Sequence, residues 1–480
     1  MTQENKRIPS PWVAALPIAL LIGMLFVTIR TFGSDALGGA SQVALLTTSA
    51  FCVLIGMAFY KIKWKSFEDA ITSNIAGVGS AIIMLLIIGS LSAAWMISGV
   101  VPTLIYYGMQ VIHPSIFLAS TCVISALIAV VTGSSWTTIA TIGIALLGIG
   151  EAQGFNSGWI AGAIISGAYF GDKISPLSDT TVLASSVTGV PLFKHIRYMM
   201  LTTTPTLILA LILFTILGFT HDAGDSDNIA AFSQALQDKF CITPWLMVVP
   251  VVTGIMIAKR VPSIITLFVS TALAGVFAVI FQPGLLREIA GEDNLFRGAM
   301  LSLYEATSVE TDNAILTELV ATRGMAGMMD TVWLILCAMC FGGTMSAGGM
   351  LESITSVFVH FIRGRFSLVL STVCSGLFLN VTTADQYISI ILNGKMFRDI
   401  YAKMGYEERL LSRTTEDAVT VTSPLIPWNT CGMTQATILN VPTLTYLPFC
   451  FFNILSPLMS LFIAAIGFKI FRTKGSEEAV

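Results

Sequence analysis

Long apolar runs alternate with short polar ones along most of the chain. A membrane span needs about 20 apolar residues. Stretches 12–30, 42–60, 78–98, 115–131, 200–219, 243–258, 263–281, 329–348, 367–381 and 446–468 read as such spans. Less regular apolar pieces lie at 134–150, 158–190, 384–397 and 418–440. Together they predict an all-α polytopic membrane protein with about 10 to 14 spans, since a lipid-exposed backbone must satisfy its own hydrogen bonds.

The irregular pieces are irregular because polar clusters interrupt them. These are "TGSSWTT" (132–138), "GDKISPLSDTT" (171–181), "NVTTADQY" (380–387) and "TVTSPLIPWNT" (420–430). Pro176 and Pro424 remove a backbone donor and break the helical ladder. Broken backbone at membrane depth is tolerated only inside protein or beside a water-filled cavity. Broken helices are therefore expected, with re-entrant hairpins as a further option.

The chain also resembles itself. At an offset of 250, Ala76 meets Ala326, Gly77 meets Gly327, Gly99 meets Gly349 and "VT" (131–132) meets "VT" (381–382). At 248, "SPL" (175–177) meets "SPL" (423–425). The expected organisation is a first transmembrane repeat at 1–220, an external linker at 221–241 and a second repeat at 242–480. Basic clusters at Lys6–Arg7, 61–65, 193–198, 259–260 and 469–474 favour the cytoplasmic side, and the acidic 221–241 loop favours the outside. Both termini are then cytoplasmic. The first half crosses an odd number of times, so the two repeats have inverted topology, an arrangement that places transport sites near the midplane.

Composition narrows the function. The chain is 55% hydrophobic and 11% charged, against about 25% charged in soluble domains. The net charge of −3 says nothing about partners, and none of the short basic clusters suggests nucleic acid. Cys337 and Cys340 form a C-x-x-C inside an apolar run without a second ligand pair, so buried thiols are expected and a metal is not. The histidines are scattered, and no nucleophile–base grouping stands out, so no enzyme activity and no cofactor are expected.

Carboxylates and hydroxyls at helix breaks are hard oxygen ligands for a small cation, and an Asp at the bilayer centre costs roughly 2.5–3.5 kcal/mol. Asp172, Asp179 and Asp385 are the candidate sodium carboxylates. Ser175, Ser178, Thr180, Thr181, Thr382, Thr383, Ser423, Asn429 and Thr430 are the candidate neutral ligands. Lys173 reads either as an ion-pair partner of Asp172 or as a fixed cation for an organic anion. Asp179 reads alternatively as a helix cap. The stretch 302–319 reads as a solvated external helix, with a cation-attracting vestibule as the sharper option. "RDIYAKMGYEERLLSRTTED" (398–417) reads as a cytoplasmic amphipathic connection, and His195 as interfacial.

"GAYFGDKISPLSDTT" (167–181), with "SPLIPWNTCG" (423–432), resembles the signature of the NhaC family of sodium/proton antiporters. The similarity runs from about residue 70 to 465. It implies inverted repeats, hairpins meeting broken helices, and exchange of Na+ for H+ across a bacterial inner membrane. Because some relatives exchange malate for sodium and lactate, coupled transport of a small organic anion or an amino acid is the alternative. A channel is disfavoured by the lack of a repeated filter motif. The expected partners are Na+, H+ and lipid, with a homodimer allowed.

Overall fold

A computed structural model describes residues 9–32, 38–220, 226–311 and 313–473 of the protein. The terminal basic residues Lys6, Arg7 and Lys474, the start of the acidic linker with Asp225, and Asp312 lie outside the described residues. The described chain is helical, and two isolated bridges, Thr307 with Thr322 and Tyr406 with Arg472, are its only β pairings.

The chain opens with α1 (Pro11–Phe32), α2 (Ala40–Tyr60) and α3 (Trp64–Gly77). The first run of buried helices is α4 (Gly79–Ile97), α5 (Val100–Val111), α6 (Phe117–Thr132), α7 (Ser135–Thr138), α8 (Ile144–Ala152), α9 (Ser157–Ile174), α10 (Asp179–Thr188) and α11 (Leu192–Thr220). A π turn, Ile139–Gly143, joins α7 to α8. Next come α12 (Ser226–Lys239), α13 (Val248–Ala258), α14 (Ser263–Phe281), α15 (Pro283–Ala290), α16 (Leu295–Tyr304) and α17 (Ala314–Val320). The second buried run is α18 (Met329–Ala347), α19 (Met350–His360), α20 (Arg365–Thr383), α21 (Gln386–Lys403), α22 (Glu408–Thr415), α23 (Thr430–Leu439), α24 (Thr443–Tyr446) and α25 (Phe451–Ile466). A second π turn, Glu416–Thr420, continues α22.

Among the described residues, 9 helices are long and apolar enough to cross a bilayer, or up to 11 if each of two bent pairs is one span. The predicted spans 243–258 and 446–468 fall in those pairs, bent by 88° and 54°. The stretch 302–319 is not one helix: α16 ends at Tyr304 and α17 begins only at Ala314.

The two buried runs share local geometry. Helices α4 and α18 are each 19 residues long, and their first residues are 250 positions apart. Gly99 and Gly349 then cap α5 and α19 with φ of 86° and 67°. Gly133 and Ala384 close α6 and α20 in the left-handed region, and Gly189 and Asn440 do so for α10 and α23. The hydroxyl pattern repeats as well. Thr132 Oγ1 donates to Ser134 O and meets Thr138 Oγ1 at 3.1 Å; Thr383 Oγ1 donates to Asp385 O and meets Ser389 Oγ at 2.8 Å. The flanking helices are exchanged: α2 and α3 pack on α18, whereas α14 and α16 pack on α4.

Close packing of α9 on α6 sets the position of the first break. A Cβ at Gly167 would collide with the Cys122 carbonyl, and one at Gly171 with that of Ala126. Small residues let membrane helices approach backbone to backbone. Gly167→Val is accordingly expected to destabilise the bundle by several kcal/mol through overpacking against rigid backbone. A thermal shift of the purified variant in detergent measures this; an unchanged midpoint would show that the two helices separate freely.

Candidate functional site

Two crossings of broken helices form the polar centre. In the first, Ser175 is extended, with ψ of 130°, as the residue before a proline must be. Its hydroxyl donates to Val130 O at 2.8 Å. Ser178 caps α10, accepting from Thr181 N and meeting Thr180 Oγ1 at 3.0 Å. Thr181 Oγ1 donates back to Lys173 O at 3.0 Å. The break is thus closed by its own hydroxyls. Gly133, against Leu177, brings the end of α6 onto it. This contact delivers Ser135 to Asp172: Ser135 N and Oγ both donate to Asp172 Oδ2, at 3.1 and 2.7 Å.

In the second crossing Asp385 caps α21, accepting from Ile388 N at 2.9 Å and from Thr430 Oγ1 at 3.2 Å. Ala384 adopts a left-handed φ of 56°, a strained choice for a residue with a Cβ, and its carbonyl accepts from Thr430 N at 2.8 Å. Asn429 caps α23 and donates to Asn380 O at 3.1 Å. Ser423 donates to Thr420 O and to Gln386 Oε1, while Thr382 turns back onto its own helix at Phe378 O.

The crossings meet at a cavity of about 200 Å³ lined by Ser134, Ser135, Asp172, Asp179, Gln386 and Tyr387, with Gly77, Ser80, Ala81, Met84 and Trp136 completing the wall. Asp179 accepts from Tyr387 OH at 2.6 Å, which ties α10 to α21. Asp172 is 4% exposed, and its Oδ1 has no hydrogen-bond partner. A buried carboxylate oxygen without a donor is costly unless something else satisfies it. The wall offers carboxylate, hydroxyl and amide oxygens and no lysine, arginine or histidine. Such a set can hold a hard cation such as Na+, or a proton on a carboxylate.

The three candidate carboxylates are not gathered at one point. Asp172 and Asp179 share the cavity, whereas Asp385 lies at the second crossing. Among the described residues no group of three His, Cys, Asp or Glu could hold a metal ion. Ser134, Ser135, Gln386 and Tyr387 are absent from the sequence-derived ligand set although they line the cavity; each lies within one of the interrupted clusters, which is the signal that could have found them.

Lys173 corrects the sequence reading most sharply. It does not pair with its neighbour Asp172. It is fully buried, forms an ion pair with Asp417, and donates to Ser456 Oγ at 3.2 Å. Asp417 also accepts from Thr202, Ser456 and Ser460. The stretch 398–417 is likewise no cytoplasmic connection at its end, because residues 410–417 are all buried. His195 is buried too, against Ser412. Each of these groups lies inside the bundle because α9, α11, α22 and α25 converge there. Glu318, from the acidic stretch, lines two larger cavities of about 450 and 710 Å³; Glu151 lines the first and Asp330 the second.

The sequence matches the Na+/H+ antiporter family over residues 167–468, which includes the second crossing and the 171–181 break of the first. It is 37% identical to the Na+/H+ antiporter NhaC of Bacillus subtilis, over 85% of this chain and 88% of that protein. It is 34% identical to the malate-2H+/Na+-lactate antiporter of the same organism, over 98% of each chain. It is also 34% identical to the arginine/ornithine antiporter ArcD of Halobacterium salinarum, over 99% of this chain and 96% of that one. Matched by the family model over more than half of its length and by relatives over most or nearly all of it, the chain belongs to the Na+/H+ antiporter family.

Proposed function

We propose that the protein exchanges Na+ for H+ across the cytoplasmic membrane, with Asp172 and Asp179 as the exchanging carboxylates. One observation carries this reading: the cavity between the crossings is walled by two carboxylates and neutral oxygens, with no cation among its lining. The organic-anion alternative needs a fixed positive charge beside the cargo. Lys173 was the candidate, and Asp417 occupies it. A malate, a lactate or an amino acid would bring its own carboxylate into the cavity without a positive partner there. Na+ and H+ act as cargo and not as cofactors.

Alternating access follows from rocking of one repeat against the other. In this reading the repeats run in opposite directions, with their boundary in 221–241, both termini are cytoplasmic, and Asp385 and Thr430 are the second repeat's contribution to the ion path. Ser175, Ser178, Thr181, Thr383, Ser423 and Asn429 hold the breaks open in shape, because their hydroxyls and amide are already bonded to backbone. Thr180 meets the Ser178 cap and Thr382 its own helix, so they support the same shape.

A carboxylate that holds either ion makes the two compete. Lowering the pH should therefore raise the apparent Na+ constant of transport, by up to tenfold per pH unit while protonation dominates. Na+-driven proton movement in proteoliposomes, measured across pH and repeated with malate, lactate and amino acids, tests both points. A flat Na+ constant would exclude a shared site. Flux that requires one of the organic solutes would replace the exchange reading.

A further inference from the structure

Several buried charged groups outside the cavity sit together. Arg413, Glu416 and Asp417 lie on α22 and its π turn, and all three are 0% exposed. Asp417 is neutralised by Lys173 and held by three hydroxyls. Glu416 is different: neither of its carboxylate oxygens has a hydrogen-bond partner. Arg413 has no hydrogen-bond partner either, and its guanidinium lies over the Tyr198 ring, 4.7 Å from the centroid. Glu416 and Arg413, three residues apart, form no ion pair.

Glu416 has the Thr420 hydroxyl beside it on its own turn, and the neighbouring helices add both neutral and charged groups. Packed against its turn, α20 offers Ser375 and Asn380, α21 offers Asn393, and α25 offers Ser456 and Ser460. The one titratable residue of α10, Asp179, faces the cavity. Lys173 and Asp172 approach from α9, His195 of α11 stands near Lys173 and Asp417, and Tyr401 of α21 stands near Arg413. A carboxylate ion out of reach of solvent, with a single threonine hydroxyl beside it, is strongly disfavoured, so the neutral acid is the form such a site holds. On losing its proton the side chain has a compensating charge within reach, because residues three apart on a helix are neighbours and Arg413 is always charged. The π turn adds a second sign: such turns mark functional sites more often than plain helix does. The other π turn, Ile139–Gly143, begins just after the Ser135 that holds Asp172.

We propose that Glu416 is a second proton-binding group of the exchanger, separate from the Asp172–Asp179 cavity, and that it takes up and releases one proton per transport cycle. The proton leaves as the carboxylate turns to Arg413, and returns as the guanidinium settles back on Tyr198. The Lys173–Asp417 pair lies between this site and Asp172, the sequence neighbour of Lys173. The proposal rests on the Na+/H+ exchange reading.

Two measurements test it. The first uses the intact wild-type protein with dicyclohexylcarbodiimide, which modifies protonated carboxyl groups in apolar surroundings. Mass spectrometry should find the adduct on Glu416 and not on Asp417, with yield falling in alkaline buffer. No adduct at Glu416 at any pH would mean that it stays ionised against Arg413, and would overturn the proposal even if Glu416→Gln fails to fold. The second measures protons moved per Na+ in proteoliposomes, from the reversal potential at fixed gradients. Glu416→Gln should lower this ratio by one proton, with Na+-dependent thermal stabilisation confirming a folded cavity. An unchanged ratio in that variant refutes the role of Glu416 while leaving exchange standing. Absence of Na+-driven proton flux in the wild type refutes the exchange reading itself, and this proposal with it.

Discussion

Asp172→Asn is expected to abolish Na+-driven proton movement while leaving the protein in the membrane at wild-type amounts. The change removes one titratable charge and keeps the shape. The Oδ2 role survives, because an amide oxygen still accepts from Ser135 N and Oγ. What disappears is the charge that Asp172 brings to the cavity wall, where its Oδ1 has no partner. An amide cannot exchange a proton for a cation, so loss of coupling should be complete and not graded. Asp179→Asn should lose coupling too, with a second effect. Asp179 accepts from Tyr387 OH at 2.6 Å, and a neutral acceptor weakens that charge-assisted bond by roughly half. Tyr387→Phe separates the two effects: it keeps both carboxylates and should retain exchange at a reduced rate. Well-folded Asp172→Asn protein with wild-type proton flux and Na+ dependence would remove Asp172 from the site.

The difference between what the sequence disclosed and what it hid is physical. Spans were legible because hydropathy alone decides whether a helix can lie in lipid. The breaks were legible because Pro176, Pro424 and the hydroxyl clusters leave backbone unsatisfied. The choice among hydroxyls was not legible. Ser134 and Ser135 are adjacent and chemically alike, yet one caps α7 and the other binds Asp172. Only the angle at which α7 leaves Gly133 distinguishes them. Lys173 was illegible for a different reason: its partner lies 244 residues away, and its neighbour Asp172 offered a nearer, wrong answer. In 398–417 the mixed charges up to Arg409 are those of a solvated surface. After Leu410 charges persist at Arg413, Glu416 and Asp417, but Ser412, Thr414 and Thr415 fill the gaps between them, a weak sign that the chain has entered the bundle. That sign is visible only once the second crossing is placed beside it.

The Lys173–Asp417 pair gives the largest expected effect on stability. Breaking a buried pair by removing one partner costs about 3–5 kcal/mol, because the remaining charge is left uncompensated. The two single variants should not be equal. Lys173→Met leaves Asp417 with hydroxyl donors from Thr202, Ser456 and Ser460. Asp417→Asn leaves an ammonium with Ser456 as its hydroxyl partner and the Phe452 ring 5.9 Å away. Asp417→Asn should therefore be the more damaging change, reducing membrane expression and the thermal midpoint further than Lys173→Met. The double variant Lys173→Met with Asp417→Asn buries no unpaired charge at this point and should recover most of the lost stability, a coupling far outside simple additivity. Midpoints for the four proteins, measured at one pH in one detergent, complete the cycle. If the double variant is as unstable as the sum of the singles, the pair does not act as a unit, and burial of Lys173 must be compensated by some other group. If Lys173→Met is the worse single variant, the hydroxyl cage around Asp417 contributes less than its geometry implies.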